Sequence, residues 1–271
     1  MTASLFDRLK AGDVVLGFNV MFPAAGIIEC VGRGWDWVWI DGQHGQHDYR
    51  SILECVRVAD SLGLAPIVRV PGHDPGTIGR ALDMKPAGIM VPMVNTAEDA
   101  REIVAAMRFP PLGARSFGGR RVCDLGGREY HRTVDAETAL LAQIETPEGI
   151  ANADEIASVP GVDVLFFGPD DVKVRLGIPI DASLADSSAL SEALQAVGRA
   201  AADAGKFAGC PAGDRRSFEL AVSLGYRLLV GGADVGFLRA AAAAKRKEFQ
   251  EALTALRKEG SAAAPRRGQG C

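Results

Sequence analysis

Short, nearly continuous apolar runs recur along the chain, and each is followed by a stretch in which apolar residues return every three or four positions. The first pattern predicts strands buried on both faces, and the second predicts amphipathic helices packed over them. After a leading helix over residues 2–10, a strand over 14–20 carries Asn19 at its end, and a helix over 23–31 is closed by Gly32 and Gly34. The run Trp37 to Ile40 then stops abruptly in Asp41, Gly42, Gln43 and His44. A strand that ends this way delivers polar groups to one end of a sheet. Further strands are predicted over 65–70, 88–93, 140–146, 162–167, 206–210 and 227–230, with helices over 49–62, 74–83, 96–107, 147–158, 186–204 and 214–224 between them. From Asp234 an alanine-rich helix is expected to about Arg257.

Eight β/α alternations joined by short connections predict a (β/α)8 TIM barrel, a single domain over residues 1–258. The tail 259–271 has no apolar anchor and is expected to be disordered. Residues 109–131 form the longest irregular stretch, rich in glycine and holding Arg115, Arg120, Arg121 and Arg128 with Arg132 just beyond, and are expected to form a lid or an interface loop.

Composition changes this picture little. The chain has 271 residues, of which 48% are hydrophobic, enough for one large core. Its net charge of −4, with lysine and arginine scattered, argues against nucleic acid and for a small-molecule partner. The five cysteines form no metal or disulfide spacing, which fits a reducing compartment. No apolar run reaches the roughly 18 residues of a membrane span, so a cytoplasmic protein is expected.

In a barrel the C-terminal ends of all strands face one mouth. Asn19, Asp41, Gln43, His44, Arg69, Gln143, Glu145, Gly168, Pro169, Asp170, Asp171, Cys210, Gly231 and Gly232 are expected to gather there. Glu145 and Asp171 offer hard oxygen ligands suited to Mg²⁺ or Mn²⁺, or else a salt bridge to an arginine, and Asp170 rivals Asp171 for the metal role. Arg69 suits a carboxylate or an enolate oxygen, unless it serves only to neutralise a neighbouring acid. His44 has the chemistry of a general acid/base near neutral pH. The glycines 231 and 232 fit a helix-starting turn better than a phosphate cradle. A Schiff-base mechanism needs a desolvated lysine in the mouth; no strand ends in one, Lys173 falls in the following segment, and Lys206 begins a strand.

Several segments in order, from about Leu5 to Ala242, resemble the HpcH/HpaI aldolase family of metal-dependent class II pyruvate aldolases. They are Asp36-Trp37-Val38-Trp39-Ile40-Asp41-Gly42-Gln43-His44, Val68-Arg69, Leu82-Asp83, Val91-Pro92-Met93-Val94, Pro110-Pro111-Leu112-Gly113, Gln143-Ile144-Glu145-Thr146, and Gly161-Val162-Asp163 through Gly168-Pro169-Asp170-Asp171. The resemblance implies an aldehyde-lyase with a barrel whose last helix is exchanged between subunits, commonly in a hexamer. It implies a divalent metal (Mg²⁺, Mn²⁺ or Co²⁺) on Glu145 and Asp171, and a 2-oxo acid held by Gln143, Arg69 and the backbone at Asp170 and Asp171. It also implies enolate stabilisation by Arg69, and acid/base work by His44 with Asp83 raising its basicity. The reaction so implied is reversible cleavage of a 4-hydroxy-2-oxo acid to pyruvate, or a close analogue, and an aldehyde. Three positions depart from the family: Gln43 stands where Glu is usual, Asp170 where a small apolar residue is common, and Lys173 where a small polar one is. Two other readings remain, a citrate-lyase-type enzyme acting on a CoA thioester and a non-catalytic barrel that binds oxo acids.

Overall fold

A computed structural model describes residues 5–262, with side-chain surroundings as far as residue 258. Eight parallel strands close into a barrel in chain order: β1 (Val15–Val20), β2 (Trp37–Asp41), β3 (Ala65–Arg69), β4 (Gly88–Val91), β5 (Ala139–Ile144), β6 (Val164–Phe167), β7 (Phe207–Pro211) and β8 (Leu228–Ala233). Strand β1 pairs with both β2 and β8, so no edge remains. Each expected strand is present, within a few residues at each end.

The interior is filled rather than hollow. Trp37, Trp39, Phe166, Ile67, Met90 and Leu141 are buried in one cluster on the inward-facing positions of their strands. Two indoles and a phenyl in one barrel require small neighbours. A Cβ on Gly17 would stand 2.3 Å from the Trp37 ring, and one on Gly209 would stand 2.7 Å from Phe166. Gly17→Ala is therefore expected to destabilise the protein by about 1–3 kcal/mol through overpacking. A denaturant midpoint equal to wild type would reject this account of the core.

Side-chain caps start the helices where the sequence places them. Asp48 and Thr96 each close a capping box, with Ser51 and Asp99 respectively, while Asp74, Thr146 and Asp214 each accept one backbone N–H. Three local expectations need correction. The helix expected over 147–158 is two, Pro147–Ala151 and Ala153–Ala157, parted at Asn152, whose side chain donates to the Asn95 carbonyl at 2.8 Å. A helix not anticipated, Pro169–Leu176, follows β6 at once, so Asp170 and Asp171 occupy its first turn. Pro at its first position and Gly177 in the left-handed conformation after its end are ordinary helix boundaries.

The stretch 109–131 is also more regular than expected, with a helix at Arg120–Gly126 and a 3₁₀ turn at Tyr130–Arg132. It is anchored to the barrel wall by Arg108. This buried guanidinium donates to the carbonyls of Asp135 (2.7 Å), Thr138 (2.8 Å) and Gly161 (2.9 Å) and to Asp163 (2.7 Å).

The chain divides into two units, the barrel as far as Asp234 and a second beginning at Val235. The second unit is helical, within an element spanning Asp234–Ala262, with Phe249, Leu253 and Leu256 exposed along one face. The helix therefore takes in residues 259–262, expected to be disordered. No proline interrupts it before Pro265, so nothing in those four residues forbids its continuation. The rest of the expected tail lies outside the described residues. Among the described residues, no helix is long and apolar enough to cross a membrane.

Candidate active site

The strand ends enclose a cleft of about 370 Å³ at one mouth of the barrel. Its polar lining comes from β1 (Asn19), β2 and its turn (Asp41, His44), β3 (Arg69), β5 (Gln143, with Glu145 just beyond) and the first turn of the Pro169–Leu176 helix (Asp170, Asp171). Strand period explains the convergence, since Gln143 and Glu145 are two residues apart and share a face. Gly168 lets the next wall close on them. A Cβ there would stand 2.7 Å from Glu145 and 3.0 Å from the Gln143 amide nitrogen.

Arg69 lies at the centre of the polar network. It is buried and faces its register partner Asp41, donating from Nε to Oδ1 at 2.9 Å and from Nη2 to Oδ2 at 2.5 Å. The guanidinium also stacks over Trp39, 4.5 Å from the ring centroid, and Nη1 points towards Gln143 Oε1 at 3.5 Å. Nε and Nη2 are thus committed to Asp41, and Nη1 faces Gln143, which also lines the cleft. Burial alone would raise the Asp41 carboxyl, but the hydrogen bonds and charge of Arg69, with the backbone N–H groups of His44 and Gln43, hold it below the usual carboxylate range. Asp41 thereby anchors both Arg69 and the turn that carries His44.

Glu145 is held differently. Gln143 Nε2 donates to its Oε2 at 2.6 Å, and the Met93 backbone N–H donates to its Oε1 at 2.8 Å. Burial pushes its carboxyl up to about 7, against the Met93 N–H, and the nearby Asp171 charge adds to the rise. A buried carboxyl with a second carboxylate, Asp171, close by suits a cation. Among the described residues no group of three or more His, Cys, Asp or Glu side chains encloses an ion. Asp171 Oδ1 also accepts from Arg175 at 2.7 Å, the arginine pairing expected as the alternative, and its other oxygen with Glu145 forms a hard donor set of the kind Mg²⁺ or Mn²⁺ takes, completed by water and substrate oxygens.

The family model for the HpcH/HpaI aldolase/citrate lyase family matches residues 18–241, a span that includes every residue of this cleft. The chain belongs to this family. A 4-hydroxy-2-oxovalerate aldolase from Novosphingobium aromaticivorans is 38% identical over 232 residues, covering 83% of this chain and 86% of that protein. A hydroxypyruvate/pyruvate aldolase from Delftia acidovorans is 37% identical over 214 residues, 78% of each chain. Among solved structures, an HpcH/HpaI aldolase from Desulfitobacterium hafniense superposes with a TM-score of 0.83 at 31% identity, covering 92% of this chain and 97% of that one.

Within this aldolase-family barrel, several residues expected at the mouth lie elsewhere. Asp83, whose role came from the resemblance and not from a strand end, does not line the cleft of one chain. It follows the helix Pro75–Leu82, packs on Gly119 and faces Arg115 at 3.6 Å, so the chain supplies His44 with no carboxylate from that position. Cys210 is fully buried outside the cleft, and burial pushes its thiol up. Gln43 and Gly231 also fall outside the lining, the former with a buried carbonyl oxygen unpartnered among the described residues.

The arginines of 109–131 do not line the cleft: Arg115 faces Asp83, Arg120 Asp124 and Arg121 Asp60, and Arg128 lies over the Phe117 ring. Lys173 is buried against Asp170 (3.2 Å) and the Ile180 carbonyl (3.0 Å), away from the mouth. His47 spans Ser51 and the Val20 carbonyl, a structural histidine whose pKa is lowered by burial.

Two contributors carry no assigned role in the sequence reading. Asp41 is legible there as a strand-end acid, and only the register with β3 shows what it holds. Met93 has a left-handed backbone (φ 56°), a strained conformation for a side-chain-bearing residue, and in it presents its N–H to Glu145. Its signal is the Pro92-Met93 step breaking an apolar strand.

Proposed function

We propose that the protein is a class II aldolase that reversibly cleaves a 4-hydroxy-2-oxo acid into pyruvate, or a close 2-oxo acid analogue, and an aldehyde. The observation that carries this reading is the single cleft in which Arg69, His44 and the Glu145–Asp171 pair meet. Glu145 and Asp171 would hold a divalent cation (Mg²⁺, Mn²⁺ or Co²⁺), which when bound supplies a Lewis acid that draws electron density from the 2-oxo carbonyl.

The chain's own groups divide the remaining work. The helix Pro169–Leu176 has no side-chain cap, so the backbone N–H groups at Asp170 and Asp171 are free of an N-cap side chain and suit the substrate carboxylate. Gln143 and Arg69 Nη1 flank the 2-oxo oxygen, and Arg69 neutralises the negative charge that develops there as the C3–C4 bond breaks. The exposed imidazole of His44 at the rim takes the C4 hydroxyl proton, and the aldehyde departs. A proton delivered to C3 completes the 2-oxo acid. Raising the basicity of His44 is the part the resemblance gives Asp83, which in one chain lies outside the cleft and faces Arg115 at 3.6 Å.

The helical unit from Val235 carries the apolar stripe Phe249, Leu253 and Leu256, suited to exchange between subunits of a homo-oligomer, a hexamer by family resemblance. For the CoA-thioester reading the candidate basic residues are the arginines of 109–131, and of these Arg115, Arg120 and Arg121 face acids while Arg128 lies over the Phe117 ring.

The test follows pyruvate release from a simple 4-hydroxy-2-oxo acid after EDTA treatment and resupply of Mg²⁺, Mn²⁺ or Co²⁺. Activity lost on chelation and restored by metal is expected. Activity that survives chelation and is trapped by borohydride would transfer the chemistry to a lysine. Turnover of a CoA thioester alone, or ligand binding without turnover under every metal, would overturn the proposal.

A further inference from the structure

The cleft contains two polar atoms that the chain leaves unsatisfied. Asn19 Oδ1 and Trp39 Nε1 are buried and have no hydrogen-bond partner among the described residues, and both residues line the cleft. Asn19 is 9% exposed and Trp39 5%. They are register partners on β1 and β2, so their side chains leave adjacent strands on the same face. Each sits deep, beneath the level of Asp41 and Arg69, with the Arg69 guanidinium directly over the Trp39 ring.

A buried polar atom without a partner loses its hydration and gains nothing in return. By contrast, the other polar groups of the deep cleft are matched: Asp41 with Arg69, and Gln143 with Glu145. An unmatched donor beside an unmatched acceptor is complementary to a group that both accepts and donates. The indole N–H only donates, and the amide oxygen accepts. A hydroxyl satisfies both at once, whereas a methyl group leaves both unpaired. If the amide is turned to present its nitrogen, a hydroxyl oxygen still accepts from both donors.

We propose that Asn19 and Trp39 form a hydroxyl-recognition pair, so that the preferred 2-oxo acid carries a hydroxyl, not a bare methyl, on the carbon beside its carbonyl. This rests on the aldolase reading. With the carboxylate at the N–H groups of Asp170 and Asp171 and the 2-oxo oxygen beside Gln143 and Arg69, the Asn19–Trp39 pair on the β1–β2 wall is the unmatched polar pair left for the third carbon. The aldehyde lies towards His44 at the rim, where the cleft opens and places less demand on its shape.

The test compares hydroxypyruvate with pyruvate as donors to one fixed aldehyde, glycolaldehyde, in metal-supplied protein. Wild type, Asn19→Leu and Trp39→Phe are each read as the ratio of kcat/KM for the two donors. Asn19→Leu removes the amide at similar volume, and Trp39→Phe removes the N–H while keeping an aromatic face beneath Arg69. Wild type is expected to favour hydroxypyruvate, and each substitution is expected to lower the ratio by about tenfold, the worth of one good hydrogen bond. A ratio unmoved by both substitutions would mean that the two atoms hold only a water molecule, and would overturn the inference. A wild-type enzyme that turns over pyruvate with no preference for the hydroxylated donor would overturn it alone. Failure of wild type to use either donor would overturn the aldolase reading and this inference with it. Should one variant fail to fold, the other and the wild-type ratio still decide.

Discussion

Replacing Arg69 with alanine is expected to lower turnover by about two to three orders of magnitude, the usual consequence of removing a preorganised donor from a developing oxyanion. Divalent-ion affinity should stay close to wild type, because Arg69 donates to neither metal-site carboxylate and its positive charge favours no cation nearby. The same substitution has a second effect, which arises from the burial of Asp41. That carboxylate has no solvent exposure, and Arg69 is its only ion-pair partner among the described residues. Stranding it is expected to cost about 3–5 kcal/mol of stability at neutral pH.

In wild type the Asp41 pKa is held down, so its contribution to stability is present above the ordinary carboxylate pKa and is lost as pH falls through the depressed value. In Arg69→Ala the buried carboxylate loses its partner, its pKa rises, and the variant should be less handicapped at acidic pH than at pH 8. Adding Asp41→Asn should recover stability without recovering turnover. Chemical denaturation and steady-state rates on the single and double variants separate the two effects. An unaltered rate in Arg69→Ala would reject its role at the oxyanion.

Glu145→Gln is expected to weaken divalent-ion binding by at least about 100-fold, beyond the 10–100-fold typical of losing a supporting residue, and to abolish aldol cleavage in parallel. The wild-type protein should show a proton-linked affinity as well. Burial raises the Glu145 carboxyl to about 7 in the metal-free chain, so below that pH a proton occupies the oxygen that a cation requires. Affinity should then fall by about tenfold per pH unit below the raised pKa and level off above it. In Glu145→Gln the residual binding should lose that slope. Calorimetric titration with Mn²⁺ across a pH series spanning that pKa measures both effects. Binding that ignores both pH and the substitution would remove Glu145 from the metal site.

Much of the site is legible in the sequence because barrel topology turns a sequence position, the end of a strand, into a spatial one. His44, Arg69, Gln143, Glu145, Asp170 and Asp171 reach one cleft for that reason. Asp83 does not follow, since it ends a helix and not a strand. The helix Pro169–Leu176 escapes a reading by pattern because its apolar periodicity is weak and its first turn is acidic, so it resembles an extension of the strand end. Lys173, which stands close behind Asp171 in sequence, is turned by that helix towards Asp170 and Ile180.

The sequence by itself determined the eight alternating elements, the order in which their ends contribute polar groups, and the membership of those groups in one mouth. These properties are local: periodicity, apolar runs and caps act within a few residues. Only the tertiary structure decided which acid neutralises Arg69, how far Glu145 is displaced from an ordinary carboxylate, what Met93 donates to, and which cleft atoms remain unpaired. Those depend on desolvation and on charges brought together by strand register from distant parts of the chain, and neither quantity is written in any single stretch of it.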